Sequence, residues 1–287
     1  MNGLVLGILL NNMNYYITYL DENYLQHGEK LFEILNTYSK YNIIVFTINF
    51  NYESKFDNVI SIHHETKELT FVEKLFFKPT LIERALKLYP NDQFCFIDAD
   101  VIPLPSCDDI FENIKDVNYP LFTRQCHDWI LHSDTNVHAK YEKNILEYLG
   151  SDTSKRTLFY RQACVFLFNY KCFDFVKEWA SLSNDVNILN NYKYYAPVHD
   201  ETLANALLWK NQYCEYLERV HIDFPIFESK NIFEFLSLID SPPESELLYS
   251  NFTRIPNTSD FVKIKFLHGK INDKQFAIFK AFFKYIS

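Results

Sequence analysis

Glycine is scarce in this chain, five residues in 287, and that scarcity excludes a repeat array, a Gly-rich linker and a disordered tail. The six cysteines, Cys95, Cys107, Cys126, Cys164, Cys172 and Cys214, form no CxxC pair, so they read as reduced core thiols of a cytoplasmic protein and not as a disulfide framework. Basic residues are outnumbered, 28 to 37, for a net charge of -9, which repels a polyphosphate backbone and excludes nucleic acid as the main partner. No apolar run reaches membrane-spanning length, so no transmembrane segment is expected. The opening MNGLVLGILL has no basic n-region and no small-residue cleavage site, and it reads as a first strand over residues 3–10.

What the chain has in plenty is aromatic surface: 27 Phe and 20 Tyr, with 48% of residues hydrophobic. A chain of this length buries a sizeable core and leaves the ends of its elements free for function. Periodicity predicts a helix over 24–38, a strand over 42–48 (NIIVFTI), a short strand over 58–62, a helix in KPTLIERALKLYP and a buried strand over 94–97. This alternation predicts an α/β domain with a mixed, mainly parallel central sheet flanked by helices. Further along, YPLFTRQ, QACVFLFN and FVKIKFLHG read as strands. FDFVKEWASL and ETLANALLWKNQ read as helices, as does the aromatic C-terminus, and no linker separates two domains. A single domain over 1–287 is expected, with a first half to residue 105 and a second from 106.

Ligands in parallel sheets bind beyond the carboxyl ends of the strands, and FCFIDADVIP delivers Asp98 and Asp100 there. Two carboxylates two residues apart repel one another unless a cation lies between them. Oxygen ligands of this kind suit Mg²⁺ or Mn²⁺. The plain alternative is an aspartate capping a proline-flanked turn. In VHDETLANALLWK, Asp200 suits a helix cap with Glu201 in the first turn, a stiff mount for a carboxylate. In KFLHGK an apolar run ends in His268, whose imidazole can join two carboxylates as a mixed N/O set, while Lys270 counters phosphate charge.

With these three anchors the sequence resembles the metal-dependent glycosyltransferases of the GT-A fold, the glycogenin-like and related nucleotide-sugar transferases, over most of its length in element order. The resemblance implies that Asp98, Asp100 and His268 bind a divalent cation bridging the diphosphate of a nucleoside-diphosphate sugar, a UDP-sugar first and a GDP-sugar as alternative. It implies that Asp200 or Glu201 acts under the sugar, and that Ala99, Gly269 and Lys270 lie along the nucleotide. It also implies that Lys78 or Arg84, Lys78 first, faces the nucleotide, and that the loop after the first strand, from Asn11 to Tyr16, holds the base. The implied activity is sugar transfer to a hydroxyl of a glycan or glycoconjugate, with retention of the anomeric centre slightly favoured by the C-terminal HGK.

The chain departs from the family at Gln162-Ala163-Cys164, where relatives carry a small Asn-Ser/Ala-Gly turn. The segment CHDWILHSDTNVH, whose spacings match no zinc site, reads as a mobile acceptor loop. Two other classes remain open. A haloacid-dehalogenase-like Mg²⁺ phosphohydrolase also uses DxD, but on its first strand. A nucleotide-sugar-binding module that keeps the fold without turnover is the other.

Overall fold

The structure is a computed structural model that describes residues 12–105, 107–114, 116–124, 144–152, 161–188, 200–211, 226–227, 252–254, 261–263, 266–268 and 272–286. The strand expected over 3–10, Asn11, Gly269, Lys270 and the CHDWILHSDTNVH segment lie outside these residues.

The first described strand is β1, Asn14–Leu20, whose first three residues belong to the loop expected over 11–16. Tyr15, Tyr16, Ile17 and Leu20 of this strand are buried, so its aromatics fill the core. The Tyr16 hydroxyl finds a partner in Asp108 at 3.0 Å, as a buried tyrosine requires. The chain then runs through a 3-10 turn at Glu22–Tyr24 into α1, Leu25–Tyr38, which buries Gly28, Leu31, Phe32, Ile34 and Leu35. Gly28 is needed for close approach: a Cβ there would stand 2.5 Å from the Leu20 Cδ1.

β2 (Asn42–Ile48) and β3 (Val59–His64) follow. Then come the short α2, Phe71–Leu75, closed by a Thr70–Glu73 capping box, and α3, Lys78–Leu88, with a proline in its first turn. Next is β4, Gln93–Ile97. β5 (Val101–Pro103) and β6 (Leu121–Arg124) precede β7, Arg161–Asn169. Helices α4, Phe173–Ser183, and α5, Asp200–Lys210, come next. The late strands are β8 (Ile226–Phe227), β9 (Phe252–Arg254), β10 (Phe261–Lys263) and β11 (Phe266–His268), and α6 is Asp273–Ile286. The single late strand expected in FVKIKFLHG is thus two short strands, in different sheets.

The main sheet has six strands in the order β3-β2-β1-β4-β7-β6. The first four are mutually parallel, and β7 and β6 are antiparallel to their neighbours. It draws strands from both sides of residue 105. Across β4 and β7, Phe94 stacks on Phe168 and Phe96 on Phe166, each at 5.0 Å between ring centroids. Trp179 of α4 packs on Phe122 and Phe166 of the same face. This aromatic ladder fixes the β4–β7 register that positions the site. A second, three-stranded sheet has the order β5-β11-β8.

Candidate active site

β4 is apolar through Ile97 and stops at Asp98, which is only partly buried. The Asp98 N–H donates to the Cys164 carbonyl at 2.8 Å, one step beyond the last β4–β7 pair. The Val101 N–H donates back to the Asp98 carbonyl at 3.0 Å. The Asp98-Ala99-Asp100 turn is therefore clamped at both ends by backbone bonds, as the strand-end reading anticipates.

Lys78 opens α3 from the neighbouring loop and is 5% exposed. Its ammonium lies 3.1 Å from the Asp98 Oδ1, 3.1 Å from the Asp200 Oδ2 and 2.8 Å from the Ala163 carbonyl to which it donates. It also sits 4.8 Å from the centroid of the Phe96 ring, a favourable face for a cation. Burial works against the charged ammonium and is the largest single influence, but Asp200 and then Asp98 together outweigh it and hold Lys78 well above the ordinary lysine range. Tyr19 abuts the same group. Burial pushes its phenol far up, with Lys78 opposing and Asp98 and Asp200 adding to the shift.

Asp200, 6% exposed, begins α5. Its carbonyl accepts from the Trp179 indole at 2.8 Å, which anchors the helix start on α4. The next residue, Glu201, accepts from the Ala163 N–H at 2.7 Å through Oε2. Ala163 thus has its N–H held by Glu201 and its carbonyl held by Lys78. One turn further, Asn205 grips the Arg161 peptide. The Gln162-Ala163-Cys164 stretch, which departs from the resembled family, is the strand end that α5 and α3 hold between them.

Ala99 and Asp100 face another way. With Val101 and Ile102 they line a shallow recess against His27, Lys30 and Leu31 of α1. Antiparallel pairing of β11 with β5 sets His268 opposite Val101, one residue past Asp100. That register brings the third expected metal ligand to the DxD turn in backbone position. Among the described residues no three His, Cys, Asp or Glu side chains already form a metal-binding group, and the His268 side chain lies outside them. The donor types, two carboxylates and an imidazole, suit Mn²⁺ or Mg²⁺.

Two expected nucleotide contacts stand elsewhere. Arg84 donates to the His63 carbonyl at 3.2 Å and lies 2.7 Å from the His64 Nδ1, with its guanidinium over the Phe46 ring. It ties α3 to the end of β3. Tyr16 is fully buried within β1 and is not part of a loop. The loop that does leave the carboxyl end of β1 is Asp21–Tyr24, and Tyr24 is exposed there. The signal for it was present in the sequence as an aromatic, β-branched run, YYITYL, ending in DENY.

No protein-family model matches the sequence, and no curated protein matches it. Solved structures do match. The mixed sheet flanked by helices is the fold of the GT-A glycosyltransferases. The galactosyltransferase LgtC, in complex with donor and acceptor sugar analogs, is similar at 13% identity over 95% of this chain and 94% of that one, with a TM-score of 0.53. An active-site mutant of LgtC is similar at 13% identity over 93% and 95%, with a TM-score of 0.51. At such identity the likeness is one of fold.

Proposed function

We propose that this protein is a divalent-metal-dependent glycosyltransferase that moves a sugar from a nucleoside-diphosphate sugar to an acceptor hydroxyl of a glycan or glycoconjugate. The observation that carries this reading is the Asp98-Ala99-Asp100 turn at the carboxyl end of β4, flanked by β11 in register with β5, on a fold shared with LgtC. Asp98, Asp100 and His268 would hold Mn²⁺ or Mg²⁺, which supplies charge neutralisation for the leaving diphosphate. Gly269 and Lys270, which follow His268 in the chain, would add a flexible approach and a fixed positive charge at the same diphosphate. The base belongs in the Asp21–Tyr24 loop, where the Tyr24 ring offers a stacking face and Asn23 an amide for the base edge. A UDP-sugar is the expected donor and a GDP-sugar the alternative.

Asp200 and Glu201 stand at the reacting face. Asp200 is buried and pairs with Lys78. Glu201 is half-buried, with Oε2 on the Ala163 N–H, and is the carboxylate better placed to meet the sugar. In a retaining reaction, the favoured course, it stabilises positive charge at the anomeric carbon; in an inverting one it takes the proton of the acceptor hydroxyl. The organisation as one domain over 1–287 belongs to the same proposal. So does a cytoplasmic setting, which is supported by Cys95, Cys107, Cys164 and Cys172 being buried thiols. Among the described residues no helix is long and apolar enough to cross a membrane.

A phosphohydrolase of the haloacid dehalogenase type would carry its DxD on the first strand, whereas here the motif ends β4. The test is calorimetric binding of UDP, GDP and CDP, each with Mn²⁺ and with chelator, followed by sugar-transfer assays with the nucleotide that binds. Metal-dependent binding of one nucleotide and release of that nucleotide on transfer are expected. Phosphate release from a phosphoester without nucleotide binding would overturn the reading, and nucleotide binding without transfer to any acceptor would leave a binding module.

A further inference from the structure

An ammonium group has three hydrogens to donate, and the Lys78 ammonium has three acceptor groups around it. The Asp98 carboxylate stands at 3.1 Å and the Asp200 carboxylate at 3.1 Å, and the Ala163 carbonyl at 2.8 Å. The side chain is buried and its Nζ rests over Phe96. Two of its hydrogens go to Asp98 and Ala163, the Asp200 ion pair stands on a further side, and the group is not among those lining the recess of Ala99 and Asp100. Its three partners come from three different elements: the end of β4, the first residue of α5 and the start of β7.

We infer that Lys78 is a positioning residue, not a phosphate ligand: it yokes the metal-binding carboxylate Asp98 to the reacting-face helix through Asp200 and to β7 through Ala163. The inference rests on the proposed glycosyltransferase reading for what Asp98 and α5 do, but the yoke itself is a matter of this chain's own contacts. Its consequence is mechanical. A shift of the Asp98 turn on binding a cation is passed to the start of α5, and so to Glu201, through one buried ammonium and not through the nucleotide. Pro79, in the first turn of α3, fixes the helix start from which Lys78 projects and so limits the play in the linkage.

Two measurements on the full chain test this. The first is a thermal denaturation cycle over wild type, Lys78→Met, Asp200→Asn and the double variant. Lys78→Met removes the ammonium that pairs with the buried Asp200 carboxylate and should lower the midpoint by about 10 °C. Asp200→Asn keeps the ammonium on Asp98 and Ala163 and should cost about 3 °C or less. Because the yoke couples the two, the double variant should recover most of the Lys78→Met loss. A double variant that falls by the sum of the two single losses would overturn the inference.

The second is UDP affinity with chelator and with Mn²⁺. Lys78→Met should leave the chelator value within about 2-fold and raise the Mn²⁺ concentration needed for tight UDP binding by roughly 10-fold or more. A phosphate contact would instead appear as a loss of about 10-fold or more in chelator, and a merely structural role would weaken both together. Either result would remove the positioning role. If the wild-type protein binds no nucleoside diphosphate at all, the proposed function fails, and the denaturation cycle still decides whether the yoke exists.

Discussion

The side chain of Asn205 pairs with the backbone of Arg161 as a neighbouring strand would: its Oδ1 accepts from the Arg161 N–H and its Nδ2 donates to the Arg161 carbonyl, both at 2.8 Å. The same Nδ2 also donates to the Glu201 carbonyl at 2.9 Å, so one buried amide joins the start of β7 to the first turn of α5. Asn205→Ala removes both of these bonds to the Arg161 backbone. It should cost roughly 3 kcal/mol in denaturant unfolding, and an unchanged unfolding midpoint would show that α5 is held by other means.

Asp100 lines the open recess and is only partly buried. Asp100→Asn is therefore expected to leave the thermal midpoint within about 2 °C of wild type while lowering Mn²⁺-dependent turnover on the order of 100-fold or more. His268→Ala should weaken metal dependence less severely. Mn²⁺ titration of transfer activity checks both, and wild-type behaviour of Asp100→Asn would remove the metal role of the motif.

The contact between Arg84 and the His64 Nδ1 at 2.7 Å requires a neutral imidazole acceptor. Burial first, and then the Arg84 charge and His63, lower the His64 pKa below its ordinary 6.5. The folded state thus takes up this proton less readily than the unfolded chain. The stability tied to it is present above pH 6.5 and is lost as pH falls through the lowered folded value. Thermal midpoints measured across that range should fall more for wild type than for His64→Gln, and parallel curves would exclude the contribution.

Gly28→Ala places a methyl group 2.5 Å from the Leu20 Cδ1 at the end of β1. Either Leu20 rotates or α1 shifts, at a cost of about 1–3 kcal/mol. Because Leu20 leads directly into the Asp21–Tyr24 loop, nucleotide affinity should fall with stability. Chemical denaturation together with UDP binding reads the two, and a stability loss with unaltered affinity would place the base elsewhere.

Much of the fold was legible because its pattern is local. The strand Asn42–Ile48 and the helix opened by Lys78-Pro79 stand where periodicity and proline place them. Tyr16 reads as a loop residue for a physical reason: Asn14–Leu20 is rich in tyrosine and owes its burial to neighbours on both sides, β2 and β4. The same tyrosine-rich pattern hides the loop that follows β1, with Tyr24 in it. Arg84 and Lys78 lie six positions apart on one helix, and nothing in their spacing reveals that one turns to His64 and the other to Asp98.

By itself the sequence determined that Asp98 and Asp100 would stand at the end of a buried strand, since the burial of Phe94 to Ile97 and the turn that follows depend on adjacent residues alone. It determined equally that Asp200 and Glu201 would open a helix. Only the tertiary structure decided which of these charges meet, because Lys78, Asp98, Ala163 and Asp200 are brought together by the β4–β7 register and by the packing of α3 and α5 around it. Pairing of that kind depends on distances across the sheet, which no linear spacing encodes.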